Sequence, residues 1–327
     1  MNIYITLDYE LFFGNNVGTL ENCMLKPANE IARIANENGI KLVFFIDSGY
    51  LLKLKEYSQR FPELKKDLNS LTTQIKRLSN QGHTFELHIH PHWEDSYYDG
   101  KKWIIITNRY RLHSFEDEEI MDIFNKYTKV IKDITGRDPI AFRAGGWSVQ
   151  PFSKLKQAFI KNRILIDSSV FSGGYHNSKH QFYDFQKVPK FTSEYYFDEE
   201  ITETSSSQKF KEIPISSMQV SPLFFWKLSL IKVFGSPLHN TYGDGQPIQM
   251  PNSKLLKLLT FSSNSVVSID GYKASYLKKA YGIFKKNDAK NFVIIGHPKA
   301  FTKFSLIKFE KFLKSLNSED KILTFGT

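Results

Sequence analysis

The chain has a single cysteine, Cys23, among its 327 residues. One cysteine excludes an intrachain disulfide and a cysteine-ligated zinc site, and it fits a reducing compartment. Long apolar runs are also missing, since none approaches the 18 or more residues that a transmembrane helix needs. The first residues lack the basic stretch of a secretory signal and reach an acid at Asp8. They predict the start of a strand and a cytoplasmic protein.

Acidic residues are outnumbered, with 34 Asp and Glu against 44 Lys and Arg, which gives a formal charge of +10. This balance favours anionic partners such as phosphate-bearing sugars, nucleic acid or a membrane face. The lysines are dispersed and no nucleic-acid motif is present, so nucleic acid is not expected as a partner. Aromatic residues reach 15%. Such side chains commonly line sites for sugars and apolar ligands.

The chain shows no internal repeat and no low-complexity linker, which predicts one domain over residues 1–327. Residues 171–210 are polar, aromatic and poorly periodic. They are too long for an ordinary loop and predict a hairpin or an active-site lid inserted into that domain. The apolar segment Phe224–Phe234 carries Lys227 and Lys232 and is too short to span a bilayer. It predicts a core helix, with an interfacial helix in peripheral contact with a membrane as the alternative.

Apolar strand-like runs alternate with amphipathic helical segments along the whole chain. The runs are continuous, which is typical of parallel strands covered by helices. A chemically active side chain repeatedly follows the end of such a run, and these residues are Asp8, His88, Arg143, Asp167 and His297. In α/β barrels the functional groups gather at the carboxyl ends of the strands. The sequence therefore predicts an α/β barrel with one site at its mouth.

Three histidines, His88, His90 and His92, stand at alternate positions after the run Thr84–Leu87. A strand places alternate side chains on one face, so His88 and His90 are predicted to project together. Pro91 favours the end of the strand, and a turn there would fold His92 back toward His88 instead. Either pair, completed by a carboxylate from elsewhere in the chain, would form a metal site with two histidines and one carboxylate.

Hydrolysis of an unactivated amide needs a polarised carbonyl, an activated water and a proton for the leaving nitrogen. A divalent cation supplies the first and lowers the pKa of the water. A carboxylate and a histidine on opposite sides can then act as base and acid. Asp8 and His297 are the candidates for these roles, and Arg143 could hold the ionised state of Asp8 through a charge-assisted pair.

Five segments, in this order, resemble the motifs of the polysaccharide deacetylase family, the NodB-homology proteins or family 4 carbohydrate esterases. They are Thr6–Glu10, Gly82–His92, Phe142–Trp147, Asp167–Val170 and Ile295–Pro298. The resemblance implies a distorted (β/α)₇ barrel with long loop insertions. It also implies one divalent metal ion, zinc in the first place and another divalent transition metal otherwise.

The residue roles that the resemblance implies are as follows. The metal ligands are Glu10, His88 and His92, which selects the second of the two histidine pairings. The catalytic group contains Asp8 as base, His297 as acid, Arg143 as the residue that orients the base, and Asp167 as a brace or substrate contact. The substrate-binding candidates are His90, Trp93, Gly145, Gly146 and Trp147. For the two tryptophans, which flank two of the motifs, packing under the loops is the alternative to stacking on a sugar ring.

The chain departs from the family pattern at two places. Tyr9 separates Asp8 from Glu10, where the family usually has two adjacent acids, so the roles of base and ligand could be reversed. The family usually has proline where Gly145 or Gly146 stands, so the shape of the groove is open.

The implied function is removal of an N-acetyl group from an amino sugar in a polysaccharide or its precursor. Variants of this type resemble deacetylases of surface-polysaccharide biosynthesis, which implies a nucleotide- or lipid-linked sugar as partner. Two alternatives stay open. One is a catalytically inactive carbohydrate-binding protein on the same fold, and the other is a hydrolase of a different amide, such as a formamide or a cyclic imide.

Overall fold

The computed structural model describes residues 1–249 and 252–326, apart from the side chains of residues 232 and 254. Its strands are β1 (Asn2–Tyr9), β2 (Val43–Asp47), β3 (Thr84–Ile89), β4 (Tyr97–Tyr98), β5 (Trp103–Ile104), β6 (Ala141–Ala144), β7 (Ile166–Asp167), β8 (Tyr175–Asn177), β9 (Phe182–Asp184), β10 (Tyr195–Phe197), β11 (Phe210–Glu212), β12 (Ser217–Val220), β13 (Ser263–Val266), β14 (Asn291–Gly296) and β15 (Lys321–Leu323).

Helices follow most of the long strands. They are α1 (Lys26–Glu37), α2 (Ser48–Tyr57), α3 (Pro62–Asn80), α4 (Asp117–Thr135), α5 (Lys156–Asn162), α6 (Pro222–Phe234), α7 (Asn252–Thr260), α8 (Leu277–Lys286) and α9 (Lys303–Leu313).

The main sheet runs in the order β10, β11, β7, β6, β3, β2, β1 and β14, with β15 pairing the first half of β1. All neighbours from β11 to β14 are parallel, and only the outer pair of β10 and β11 is antiparallel. Strands β1, β2 and β14 are buried along nearly their whole length. Their continuous apolar sequences follow from this, because helices cover one face and the sheet curls around the other.

Irregular segments extend the curled sheet beyond β14 and back toward β7. Residues 267–269 run parallel to β14, and the amide of Ile295 donates to the carbonyl of Val267 over 3.0 Å. Val267 donates in turn to Ser216 over 2.7 Å, and Ile215 donates to Val170, just past β7. The predicted α/β class with a distorted barrel of parallel strands is confirmed.

Several local expectations shift or fail. Helix α4 begins after Glu116, whose amide donates to the Glu119 carboxylate over 2.9 Å in a capping box. The range 171–210 contains the β8–β9 hairpin, and its role as a lid stays a prediction. Segment Phe224–Phe234 is helical as expected, but only one of its faces is packed against the protein, as described below.

Candidate metal and catalytic site

The register of the parallel strands brings the chemically active side chains to one end of the sheet. Leu7 on β1 lies opposite Gly296 on β14, so the next residues, Asp8 and His297, are neighbours. His88 on β3 lies opposite Arg143 on β6. Residues far apart in sequence therefore meet at the carboxyl ends of their strands, as the sequence predicts.

The spacing of the two acids on β1 follows from strand geometry. Side chains alternate across a strand, so Asp8 and Glu10 share one face and Tyr9 takes the other. Tyr9 points to the helix layer, where its hydroxyl bonds to Gln74 of α3. The tyrosine between the acids therefore keeps both carboxylates on the site's side of the sheet.

Glu10, His88 and His90 form a buried cluster of donor atoms. The Oε2 atom of Glu10 lies 3.1 Å from Nε2 of His88 and 2.6 Å from Nε2 of His90. The two Nε2 atoms are 3.1 Å apart. One donor atom from each residue lies within 4.8 Å of the others, as a shared cation requires. Two imidazoles and one carboxylate are a donor set suited to zinc and related divalent metals.

The orientation of His88 is set by the backbone of the neighbouring strand. Its Nδ1 lies 2.8 Å from the carbonyl oxygen of Arg143, so Nδ1 carries a proton, and in the neutral ring Nε2 is the nitrogen that can bind a metal. Gly145 allows His90 to sit beside it, because a Cβ atom at Gly145 would lie 2.6 Å from Nδ1 of His90. Burial lowers the pKa of His90 to about 4, so its ring is neutral at neutral pH.

Lys299 forms a salt bridge with the second oxygen of the Glu10 carboxylate. Its Nζ lies 2.8 Å from Oε1 of Glu10 and 2.5 Å from the carbonyl oxygen of Leu11. Burial alone would raise the pKa of Glu10, but Lys299, His90 and His88 hold it well below its usual range. Glu10 is therefore ionised, and its Oε2 is directed at the two histidines.

One carboxylate oxygen of Asp8 is held by Arg143, and the other points toward His88 and His297. Arg143 is completely buried and donates from Nη1 to Oδ1 of Asp8 over 2.6 Å. Its Nε donates to the carbonyl of Ser168 over 2.7 Å, and the guanidinium lies over the ring of Phe45. The other Asp8 oxygen, Oδ2, is 3.6 Å from Nε2 of His297 and 4.0 Å from Nε2 of His88.

Asp270 fixes His297 through two hydrogen bonds. It accepts from the His297 amide over 2.7 Å, and its Oδ2 lies 2.8 Å from Nδ1 of the ring. Burial opposes a charged imidazole, but Asp270, followed by Asp8 and Glu10, raises the pKa of His297 above its ordinary value. A carboxylate behind a histidine orients the ring and favours its protonated form.

Neither His92 nor Trp93 joins the donor cluster. The ring of His92 stacks on Tyr110 at 5.5 Å and meets Phe13 edge-on at 4.6 Å. Both of its ring nitrogens are buried without a hydrogen-bond partner among the described residues. Trp93 is completely buried and donates from its indole to Asp47 over 2.6 Å. It packs beneath the loops and offers no open face to a sugar.

Asp167 lies below the site, where it contacts protein groups. Its carboxylate accepts from the amide of Ser169 over 2.7 Å and from the Ser169 hydroxyl over 3.0 Å. Glu212 on β11 shares a hydrogen bond with it, and burial raises the pKa of both carboxyls, that of Glu212 most strongly. Two acids in contact with raised pKa values share a proton. This geometry favours the brace over the substrate contact.

The loop of Gly146 and Trp147 forms a wall of the mouth. Both residues have left-handed backbone geometry, with φ of 58° and 57°, which is unusual for tryptophan. Trp147 packs against Phe171 at 5.0 Å and Tyr183 at 5.8 Å. These three aromatic residues line one side of a cavity of about 510 Å³. A strained aromatic residue beside a cavity is compatible with the predicted role in substrate binding.

Asp270 and Lys299 are the site residues that sequence reasoning missed. Each had a signal: Val266–Ile269 is a short apolar run that ends in an acid, and Lys299 follows the His297–Pro298 motif by one residue.

At the level of sequence, neither a protein-family model nor a curated protein matches the chain. Solved structures with the same fold do match. One is described as a polysaccharide deacetylase from Mycobacterium smegmatis, with 12% identity and a TM-score of 0.50 over 98% of this chain and 86% of that one. Another is Puue allantoinase, with 9% identity and a TM-score of 0.51 over 99% and 87% of the two chains.

A third is the 4-alpha-glucanotransferase from Thermococcus litoralis, with 12% identity and a TM-score of 0.52 over 99% of this chain and 39% of that one. The chain thus resembles polysaccharide deacetylases in fold, as its motifs predict. At sequence identities this low, the similarity establishes only the fold. The three proteins share that fold but are named for three different activities. The chemistry must be argued from the site.

Proposed function

We propose that the protein is a metal-dependent hydrolase that removes an N-acetyl group from an amino sugar in a polysaccharide or its precursor. The observation that carries the proposal is that a possible metal site lies next to a possible acid–base pair. A donor cluster of one carboxylate and two imidazoles lies beside a carboxylate and a histidine that are each held by a charged partner.

The metal would be held by Glu10, His88 and His90, with His92 as the alternative ligand implied by the sequence resemblance. The donor set fits zinc. Among the described residues, Nδ1 of His90 and both ring nitrogens of His92 are buried without a hydrogen-bond partner, which supports a polar ligand at this place. When bound, the cation polarises the amide carbonyl and lowers the pKa of the attacking water.

Asp8 serves as the base in this proposal. Arg143 saturates Oδ1 and leaves Oδ2 directed at the space between His88 and His297, where a water proton would be taken up. Glu10 is less suited to this role because Lys299 and the two histidines engage both of its oxygens. The geometry supports Asp8 as base and Glu10 as ligand over the reverse assignment.

His297 serves as the acid. Asp270 keeps its Nδ1 protonated and turns Nε2 toward Asp8, which makes Nε2 the nitrogen that would protonate the leaving group. The raised pKa of His297 keeps a proton available near neutral pH. Trp147 and the cavity beside it would receive the sugar, and Asp167 would support Arg143 from below.

For the substrate we propose a nucleotide- or lipid-linked N-acetylated sugar in the cytoplasm, since the net charge of +10 complements a phosphate-bearing carrier.

The test is release of acetate from a set of N-acetylated nucleotide sugars, lipid-linked sugars and free oligosaccharides, with purified protein of known metal content. Asp8→Asn and His297→Ala are expected to abolish turnover, while Lys129→Gln, on the exposed face of α4, leaves it unchanged. Full activity in both site variants would overturn the assigned roles. Formate release or ring opening of a cyclic imide without acetate would identify a different amide, and sugar binding without turnover would identify a binding protein.

A further inference from the structure

The helical pair α6–α7 exposes an unusual concentration of apolar side chains. Among the described residues, fifteen large hydrophobic side chains are exposed, and ten of them lie between residues 223 and 261. They are Leu223, Trp226, Leu230, Val233, Phe234, Leu238, Ile248, Leu255, Leu256 and Phe261. Isolated exposed apolar residues are ordinary, but a concentrated group marks an interaction surface.

Helix α6 is apolar on two faces, and only one of them is used by the fold. Phe224 and Phe225 are buried and form a small core with residues of α7 and with Tyr272 and Tyr276. The opposite face carries Leu230, Val233 and Phe234, with exposed fractions of 54%, 71% and 81%. Trp226 also lies on that face, and its indole donates to the carbonyl of Leu259 over 3.0 Å, which fastens the two helices together.

The charge of this region is of one sign. Between Glu212 and Asp270 the sequence has a single acid, Asp244. That carboxylate is already engaged by the amide and hydroxyl of Thr19 and by the side chain of Asn22. The same stretch contributes lysines on and beside both helices, at positions 227, 232, 254 and 257. An apolar face bordered by lysines and free of acids complements a surface that combines hydrocarbon with negative charge.

We propose that α6–α7 docks the protein onto an anionic lipid bilayer, with the face of Trp226, Leu230, Val233 and Phe234 in the headgroup–acyl boundary. Within the described ranges, no helix has the length and hydropathy needed to cross a bilayer. The proposed contact is a peripheral one. A second copy of the chain fits this face less well, because a two-fold contact would bring the same lysines together.

The docked orientation follows from the packing of α6. Phe224 stacks on Tyr272 at 5.4 Å, two residues after the Asp270 that holds His297. Tyr272 in turn stacks on Phe304, which follows the loop of Lys299. The helical pair therefore lies beside the loops at the mouth of the barrel, and a bilayer bound to it lies along the same rim.

The test uses the full-length protein and vesicles of equal parts phosphatidylglycerol and phosphatidylcholine, with phosphatidylcholine alone for comparison. Co-sedimentation with the anionic vesicles is expected, with a blue shift of tryptophan emission. Trp226→Phe should remove most of the shift and keep the binding, because Trp93 and Trp103 are already buried and Trp147 packs against Phe171 and Tyr183. Replacing Lys227 and Lys257 by Gln should weaken binding roughly five-fold per lysine, since each basic residue near an anionic surface contributes about 1 kcal/mol.

The decisive variant is the triple change Leu230→Ser, Val233→Ser and Phe234→Ser, which is expected to abolish sedimentation. The matched control replaces Ile160, Leu165 and Ile307 by Ser. These residues are also exposed but lie elsewhere on the surface, so this variant should bind the vesicles like the parent protein. Vesicle binding that survives the first triple change would overturn the proposal. So would a parent protein that ignores vesicles and sediments as a dimer that the triple change dissociates.

Discussion

The choice between His90 and His92 as the second histidine ligand can be decided by thermal stability. A ligand that binds only the folded state stabilises it by about 2.7 kcal/mol at a free concentration of 100 times its Kd. Unfolding entropy of about 2.1 cal/mol/K per residue gives roughly 0.7 kcal/mol/K for 327 residues. Zinc at that concentration should therefore raise the unfolding midpoint of the parent protein by about 4 °C.

Loss of a true ligand should nearly eliminate this shift. Mutation of a residue that only hydrogen-bonds to a metal ligand already lowers metal affinity by about 10- to 100-fold, and mutation of a ligand lowers it at least as much. A 100-fold weaker site at the same zinc concentration retains about 0.4 kcal/mol, which corresponds to less than about 1 °C. Glu10→Gln, His88→Gln and His90→Gln are expected to behave in this way, because their donor atoms form the cluster.

His92→Gln is expected to keep a shift close to that of the parent, since its ring packs on Tyr110 and Phe13 outside the cluster. His180→Gln, at the tip of the β8–β9 hairpin, controls for zinc bound elsewhere. The measurement is differential scanning fluorimetry with a zinc titration against a chelating indicator. A lost shift in His92→Gln with a normal one in His90→Gln would refute the reasoning from this geometry and favour the family pairing.

Three further predictions concern residues around the site and the core. Gly145→Ala should weaken zinc binding by at least about 10-fold in the same titration, because the added Cβ atom would displace the ring of His90. A zinc affinity equal to that of the parent protein would show that the ring moves without cost. Lys299→Met should tighten zinc binding by roughly ten-fold, since the Lys299 ammonium beside Glu10 repels the zinc ion, and it should lower the stability of the metal-free protein. Weaker zinc binding would indicate instead that Lys299 orients the Glu10 carboxylate. His83 is buried and accepts from the Leu42 amide, and burial, followed by Lys41 and Arg77, lowers its pKa to about 4. A depressed histidine pKa means that the unfolded state gains the proton first, so stability should fall as the pH drops from about 6.5 to about 4. Urea denaturation of His83→Gln should show a shallower fall over this window, and an unchanged slope would contradict the assignment.

The convergence of Asp8, His88, Arg143 and His297 could be predicted from sequence because it depends on one simple rule. Each follows a continuous apolar run, and parallel strands deliver their carboxyl ends to the same rim. The pairing of β1 with β14, two strands separated by most of the chain, then makes Asp8 and His297 neighbours. No side-chain detail is needed for that conclusion.

The histidine pairing could not be decided because it depends on the turn at Pro91 and on side-chain rotamers. Strand alternation predicts His88 with His90, and the structure brings these two together. The resemblance selects His92, and that role stays a prediction. Trp93 was expected beside the sugar because it follows the motif, but its indole N–H finds a partner in Asp47, the residue that caps α2. A buried tryptophan that satisfies its donor is a stable arrangement that sequence pattern does not distinguish from an exposed platform.

Asp270 escaped prediction because the segment before it extends the sheet through a few backbone bonds and was not assigned as a strand. The expectation of a core helix at Phe224–Phe234 was half right, since one face is packed and the other is exposed. A helix that is apolar all round gives no periodic signal to distinguish these faces.

The pairing of β15 with the start of β1 has a practical consequence for engineering. The amide of Lys321 donates to the carbonyl of Met1 over 3.0 Å, so the segments near the two ends of the given sequence lie side by side at the amino end of β1. The donor cluster lies at the carboxyl end of the same strand. A circular permutant that joins these ends and opens the tip of the β8–β9 hairpin should fold, because no strand of the main sheet is cut.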